Sequence, residues 1–263
     1  MSASTTLQTR RRQVLLGRLL TLFALAAAWQ IFGMLGDEDV QGIPKFSDVA
    51  VAFVNELGTS SLWTSLGQTV TTTAIGLALC LVIGIPAGLL LAAHPFLTVS
   101  SRFVIDFCRT VPPLAIIPLF LLIMGPTQRM AVALIVAVSV WPILLQTIHG
   151  VRNVEPELLA TARSFRLPLW RRLALVVAPA SMPYIFTGIR ISATLSLLLT
   201  IGAELIAGVP GLGKEILLSQ SVPDRMFALI IVAGLLGMLL AFAVMAIENR
   251  LLAWHYIPRR MTT

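Results

Sequence analysis

Four ionisable side chains, Asp106, Arg109, Arg190 and Glu204, stand inside stretches otherwise apolar enough to cross a membrane. A charge at the bilayer centre costs about 2.5–3.5 kcal/mol on insertion scales, so such residues pair, reach an interface or border a wet pathway. Asp106 and Arg109 are spaced i, i+3, which lets them neutralise each other on one helix face, and the same spacing suits the wall of a pathway. Arg190 lies near the end of its stretch, where a long side chain can snorkel to water. Gly188, Ser192, Ser196, Thr200 and Glu204 recur every fourth residue and form a polar stripe along one helix. Such a stripe either faces a wet pathway or packs closely while its hydroxyls bond carbonyls one turn back. The chemistry offered is guidance of a charged solute, and Arg109 and Arg190 favour a small anion.

Bond-breaking chemistry finds little support. His94, His149 and His255 all fall at the edges of apolar stretches, and no nucleophile has a base at matching depth. Gly208-Val-Pro-Gly-Leu-Gly213-Lys214-Glu215 nearly spells a phosphate-binding loop, but Glu215 replaces the magnesium-binding hydroxyl and a membrane stretch replaces the preceding strand. The chain therefore has no nucleotide site of its own, no cofactor and no metal set. Cys80 and Cys108 lie inside apolar stretches without metal spacing and read as small core residues.

The elements that must hold these residues are membrane spans. The chain is 57% hydrophobic and 12% charged, with a mean hydropathy of +0.90, which excludes a soluble domain. Runs of about 20 apolar residues, the length that crosses the hydrocarbon, occur near 14–34, 67–93, 103–124, 130–149, 184–207 and 226–248. Six spans put both termini on one side. That side carries Arg10, Arg11, Arg12, Arg18, Arg102, Arg152, Arg163, Arg166, Arg171, Arg172, Arg250, Arg259 and Arg260, and the other only Lys45, Arg129, Lys214 and Arg225. The positive-inside rule makes the termini cytoplasmic. The net charge of +7 is thus topogenic, and arginines scattered among loops do not form a nucleic-acid surface.

Residues 1–13 form a cytoplasmic tail, 14–250 the membrane domain and 251–263 a second tail. The N-terminus imitates a signal peptide, but the apolar run continues through Trp29 and Phe32 to Leu35, which suits a retained span. After the acidic run Asp37-Glu38-Asp39, Phe46, Val49, Ala50, Phe53, Val54 and Leu57 recur at helical spacing and predict an amphipathic helix on the membrane or against the bundle. Gly84 and Gly88 flank Pro86 in small-xxx-small register, which allows close helix approach. Pro112, Pro113 and Pro118 must bend or break the third span, and a broken span lines protein or a wet cavity.

Between the fourth and fifth spans lies the longest polar interruption, residues 153–183. Asn153 or Glu155 can cap a helix with Pro156 in its first turn and Glu157 near its positive end, running to about Phe165. Pro168 ends it. A second short helix, Leu169 to about Ala178, is predicted to stop before Pro179 and Pro183.

This interruption resembles the cytoplasmic "EAA" loop of ABC importer permeases of the type I (MetI-like) fold. The loop signature is Glu-Ala-Ala, then Gly four residues after the last Ala, and an Ile/Leu-x-Leu-Pro ending. Spacing back from Pro179 sets the signature on Ala160, Thr161 and Ala162, with Arg166 at the Gly; the Glu and the Gly are thus replaced here by Ala160 and Arg166, while APASMPYIFTGIR, 178–190, matches closely. RTVPPLAIIPLF, 109–120, and GAELIAGVPGLG, 202–213, resemble two further stretches of the nitrate/sulfonate/taurine branch.

The resemblance implies an all-α membrane protein of six spans in a bacterial inner membrane, with a coupling helix between spans four and five. It implies a homodimer of permeases, two cytoplasmic ATPase subunits that bind ATP and magnesium, an extracytoplasmic binding protein, and alternating access. Substrates of that branch include nitrate, sulfonates, aromatic acids and vitamin precursors. Glu157, Ala160, Thr161, Ala162, Arg163, Phe165, Arg166, Pro168, Trp170 and Arg171 then fall to ATPase coupling. Asp106, Arg109, Pro113, Ser192, Ser196, Thr200 and Glu204 fall to the translocation pathway. A secondary transporter driven by ion gradients, or an intramembrane enzyme, are the competing readings.

Overall fold

The computed structural model describes residues 3–35 and 43–253. Side chains of residues 3–15, 18, 19, 22 and 95 are not among those described, so Arg10, Arg11, Arg12 and Arg18 lie outside the account. So do the Asp37-Glu38-Asp39 run and the C-terminal tail from residue 254, with His255, Arg259 and Arg260.

The described residues are all helical or loop, without strands. In chain order the elements are α1 (Ala3–Leu35), α2 (Phe46–Leu57), α3 (Ser60–Ala93), α4 (Pro95–Thr110), a 3-10 turn (Pro113–Ile116), α5 (Ile117–Met124) and α6 (Gln128–Arg152). There follow α7 (Pro156–Ser164), α8 (Leu169–Arg172), a π-turn (Leu173–Val177), α9 (Ala178–Ala207), α10 (Leu212–Leu218) and α11 (Pro223–Leu251). Four helices among the described residues are long and apolar enough to cross a membrane, or five if one bent pair counts as a span. The first of the six expected spans falls in α1, where the described residues hold a shorter apolar helix, Phe23–Leu35.

The bent pair is the proline-rich third span. Its two halves, Phe96–Thr110 and Pro113–Met124, meet at 83°, because Pro112 and Pro113 donate no hydrogen bonds and force the preceding residues into extended backbone. Val111 and Pro112 both adopt such extended angles.

The core is a three-helix sandwich with α6 in the middle, α3 on one flank and α9 on the other. Ile117, Leu134, Ile135, Ile143, Leu199 and Ala203 are fully buried there. The helices approach closely as Gly84 and Gly88 predict: a Cβ on Gly88 would sit 2.6 Å from the Cβ of Thr147 and 2.9 Å from the Leu144 carbonyl oxygen. A second cluster at one end of the bundle joins Leu62, Leu212 and Leu229, with half-buried Phe53 of α2 against it. The amphipathic helix α2 is thus packed on the bundle, chiefly along α11.

Candidate functional site

The polar elbow is built as the sequence implies at its first helix. Glu155 occupies the position before α7 in extended backbone, and its carbonyl accepts from Leu158 and Leu159. Its side chain makes no capping bond, and the Asn153 side chain instead bonds back to the His149 carbonyl at 2.9 Å. Pro156 and Glu157 fill the first turn, where a missing N–H costs nothing and a negative charge meets the helix dipole.

Helix α7 ends in a two-bond C-terminal motif. The Leu167 N–H donates to the Ala162 carbonyl at 3.1 Å and the Arg166 N–H to the Arg163 carbonyl at 2.8 Å. The motif requires a left-handed residue, and Arg166 supplies it at φ 51, alone among the described non-glycine residues. Arg166 stands at the position where the resembled signature has Gly, so the backbone keeps the glycine geometry after the glycine has gone.

The second helix does not stop before Pro179, contrary to expectation. Pro179 would leave a carbonyl one turn back without a donor and press its ring against it. The chain answers with the π-turn Leu173–Val177, in which the Ala178 N–H reaches the Leu173 carbonyl, and helix continues unbroken from Leu169 into α9.

The elbow presents an apolar and basic face to its surroundings. Phe165 is 76% exposed, Leu169 67% and Trp170 65%. Glu157, Ala160, Thr161, Arg163, Arg166, Pro168 and Arg171 are also exposed, while Ala162 is buried. Thr161 returns its hydroxyl to the Glu157 carbonyl at 2.8 Å, and the Arg171 guanidinium lies 5.0 Å over the Trp170 ring. Large exposed apolar side chains of this kind mark a surface that meets another protein or a membrane.

Inside the bundle, the Ser/Thr/Glu stripe is turned towards neighbouring helices. Ser192, Ser196, Thr200 and Glu204 are all fully buried. The Ser192 hydroxyl donates to the Ser139 carbonyl of α6 at 2.6 Å, Thr73 of α3 donates to the Thr200 hydroxyl at 2.9 Å, and Thr200 donates to the Ser196 carbonyl at 2.8 Å. The stripe is packed against α3 and α6, and of its hydroxyls Thr200 alone bonds back along its own helix. Gly188 completes it, with room for a Cβ only 3.0 Å from the Ile143 Cα.

Glu204 ends the stripe as a clamp. Its carboxylate accepts from the Thr69 hydroxyl of α3 at 2.8 and 3.0 Å and from the Gly213 N–H at 2.9 Å; the Thr69 oxygen in turn accepts the Leu212 N–H at 2.9 Å. Gly211, at φ 157, touches the carboxylate so closely that a Cβ would lie 2.0 Å from an oxygen. The segment that imitates a phosphate loop does turn one backbone N–H, that of Gly213, to a carboxyl group, and that group is the chain's own Glu204. Thr69 escaped the sequence reading, although a Thr-rich run, Thr69, Thr71, Thr72 and Thr73, in an otherwise apolar helix was the available signal.

Asp106, Arg109 and Pro113 are grouped elsewhere. Asp106 is flanked by Arg102 and Arg109, each at 3.8 Å, with all three side chains more than half exposed. Arg109 and Pro113 border a cavity of about 460 Å³ between α4, α6 and α9, with Trp141, Gln146, His149 and Leu195 on its other walls. Of the seven expected pathway residues, Arg109 and Pro113 thus border this cavity, Asp106 stands beside Arg109 outside its lining, and the other four lie on the buried stripe.

Three ion pairs were not foreseen. Arg190 does not merely snorkel but pairs with Glu248 of α11. At the opposite end Arg225 bonds Glu56 at 2.7 Å and Glu215 at 3.1 Å, tying α2, α10 and α11, and Ser61 of α3 adds a bond to Glu215 at 3.2 Å. The sequence showed only that these charges share a side.

Known proteins agree with this architecture. Residues 84–253 match the family model of the binding-protein-dependent transport system inner membrane component. The chain is 31% identical to the bicarbonate transport system permease protein CmpB of Synechococcus elongatus over 95% of this chain and 93% of that one. It is 30% identical to the putative aliphatic sulfonates transport permease protein SsuC of Bacillus subtilis over 94% and 90%. Among solved structures, an inward-facing methionine ABC transporter MetNI shares the fold at a TM-score of 0.63 and 17% identity, covering 73% of this chain and 96% of that one. The chain belongs to the binding-protein-dependent transport system inner membrane component family, and is a multi-pass inner-membrane permease subunit of an ABC importer whose ATPase is a separate subunit.

Proposed function

We propose that this permease crosses the membrane six times, with α1 as the first span, and keeps both termini and the elbow in the cytoplasm. Two copies form the pathway, two ATPase subunits bind the nucleotide and magnesium and grip the elbows, and an extracytoplasmic binding protein delivers a small anion. The carrying observation is the elbow: Phe165, Leu169 and Trp170 stand exposed amid Arg166 and Arg171, and the helix that begins at Leu169 runs without a break into α9. A displacement of that face has a continuous route into the membrane. The small-anion reading is supported by relatives that carry bicarbonate or aliphatic sulfonates, and by Arg109 beside the open cavity.

Asp106, Arg109 and Pro113 border the solute's path in this reading. Ser192, Ser196, Thr200 and Glu204 hold the wall behind it, which their burial and their bonds to α3 and α6 support. Pull-down of the detergent-solubilised chain tests the proposal. The ATPase subunit should co-purify and be lost when residues 156–172 are replaced by a Gly/Ser linker; retention by the linker variant would sink the coupling role.

A further inference from the structure

A groove of about 520 Å³ runs between the end of α3 and the segment that leads from the elbow into α9. Pro86, Leu90 and Ala93 form one wall, and Trp170, Leu173 and Ala178 the other. Leu90 is 64% exposed, so the floor is open as well as apolar. The groove lies by the end of α3, at Ala93, and by the start of the long helix that begins at Leu169.

Two cations follow Trp170 in the chain, Arg171 exposed and Arg172 half-buried, and neither 86–94 nor 168–178 contains an acidic residue. The Arg171 guanidinium stacked on the Trp170 ring is held near the groove mouth. A guanidinium fork matches the oxygens of a phosphate, and Trp is at home where the apolar and polar layers meet.

We propose that this groove binds an anionic phospholipid, with an acyl chain along Pro86, Leu90 and Leu173 and the phosphate on Arg171 and Arg172. Basic rims beside apolar clefts at a membrane boundary recognise such headgroups. The inference rests on the elbow lying at the membrane surface as proposed above. It deepens that reading, since the lipid would brace the start of the helix that the ATPase moves.

Native mass spectrometry of the full-length chain in detergent micelles tests it, with phosphatidylglycerol titrated against phosphatidylcholine of the same acyl chains. Phosphatidylglycerol should be retained preferentially, and the preference should fall about fivefold for each of Arg171→Gln and Arg172→Gln. Replacement of both by Lys should keep the preference, and so should Arg250→Gln, a distant exposed control. Equal retention of the two lipids, or an unchanged preference when both arginines are Gln, overturns the inference. A chain that captures the ATPase but shows no lipid preference refutes the lipid site alone; one that prefers the lipid but captures no ATPase refutes the coupling role alone.

Discussion

The hydroxyl of Thr69 in α3 lies 2.8 Å from the Glu204 carboxylate in α9 and accepts the Leu212 N–H at 2.9 Å, so one oxygen joins two helices and a loop. Thr69→Val keeps the shape and removes both bonds. Because the carboxylate is fully buried, the loss should cost about 1–3 kcal/mol, read as a lower melting temperature of the detergent-solubilised chain. A melting temperature equal to that of the unaltered protein would show the clamp to be idle.

Gly211→Ala should be worse than Thr69→Val. Its methyl would collide with the carboxylate at 2.0 Å, and its backbone angle disfavours any side chain. Expression without a monodisperse peak on size exclusion is the expected outcome, and a normal peak would contradict the loop geometry.

Arg166→Gly should stabilise. A left-handed L-residue costs roughly 1–2 kcal/mol, which glycine avoids, offset in part by the freer unfolded chain. A rise in melting temperature with ATPase capture retained is expected; a fall would mean that the guanidinium contributes more than the backbone strain costs.

Arg225→Met should strand two carboxylates, Glu56 and Glu215, whose side chains are only 11% and 21% exposed. The loss should approach about 3 kcal/mol and be partly recovered by Glu56→Gln in the same chain. Additive effects of the two substitutions would argue against the pairing.

Gly88→Ala should loosen the contact of α3 with α6 by about 1–3 kcal/mol. Thr147→Gly should restore part of the loss, since the Thr147 Cβ is the nearest atom at 2.6 Å. Failure of any rescue would place the strain at the Leu144 carbonyl.

Much of this architecture was legible because membrane physics writes it plainly. Long apolar runs gave α3, α6, α9 and α11, and three prolines gave the broken third span. What escaped was pairing across the bundle. Nothing in a single helix says that the Glu204 stripe meets Thr69 and Thr73 and not a wet channel, since a hydroxyl that bonds back to its own helix and one that reaches a neighbour share the same spacing. Pro179 misled for a different reason: proline forbids one hydrogen bond, and a π-turn can absorb that loss without ending the helix. Arg166 was visible as a departure, but its left-handed backbone was not, because residue type alone does not report φ.

The widened turn at Leu173–Val177 gives the long helix a mechanical character. From Leu169 to Ala207 it is a single beam, softened near the elbow by the one stretch of weaker rings and anchored at its far tip by Glu204. A beam with its soft joint at the driven end and a pin at the other swings about the pin. Driven at the elbow as proposed, its largest travel falls on the half nearer the elbow, and the Glu204 end stays almost still.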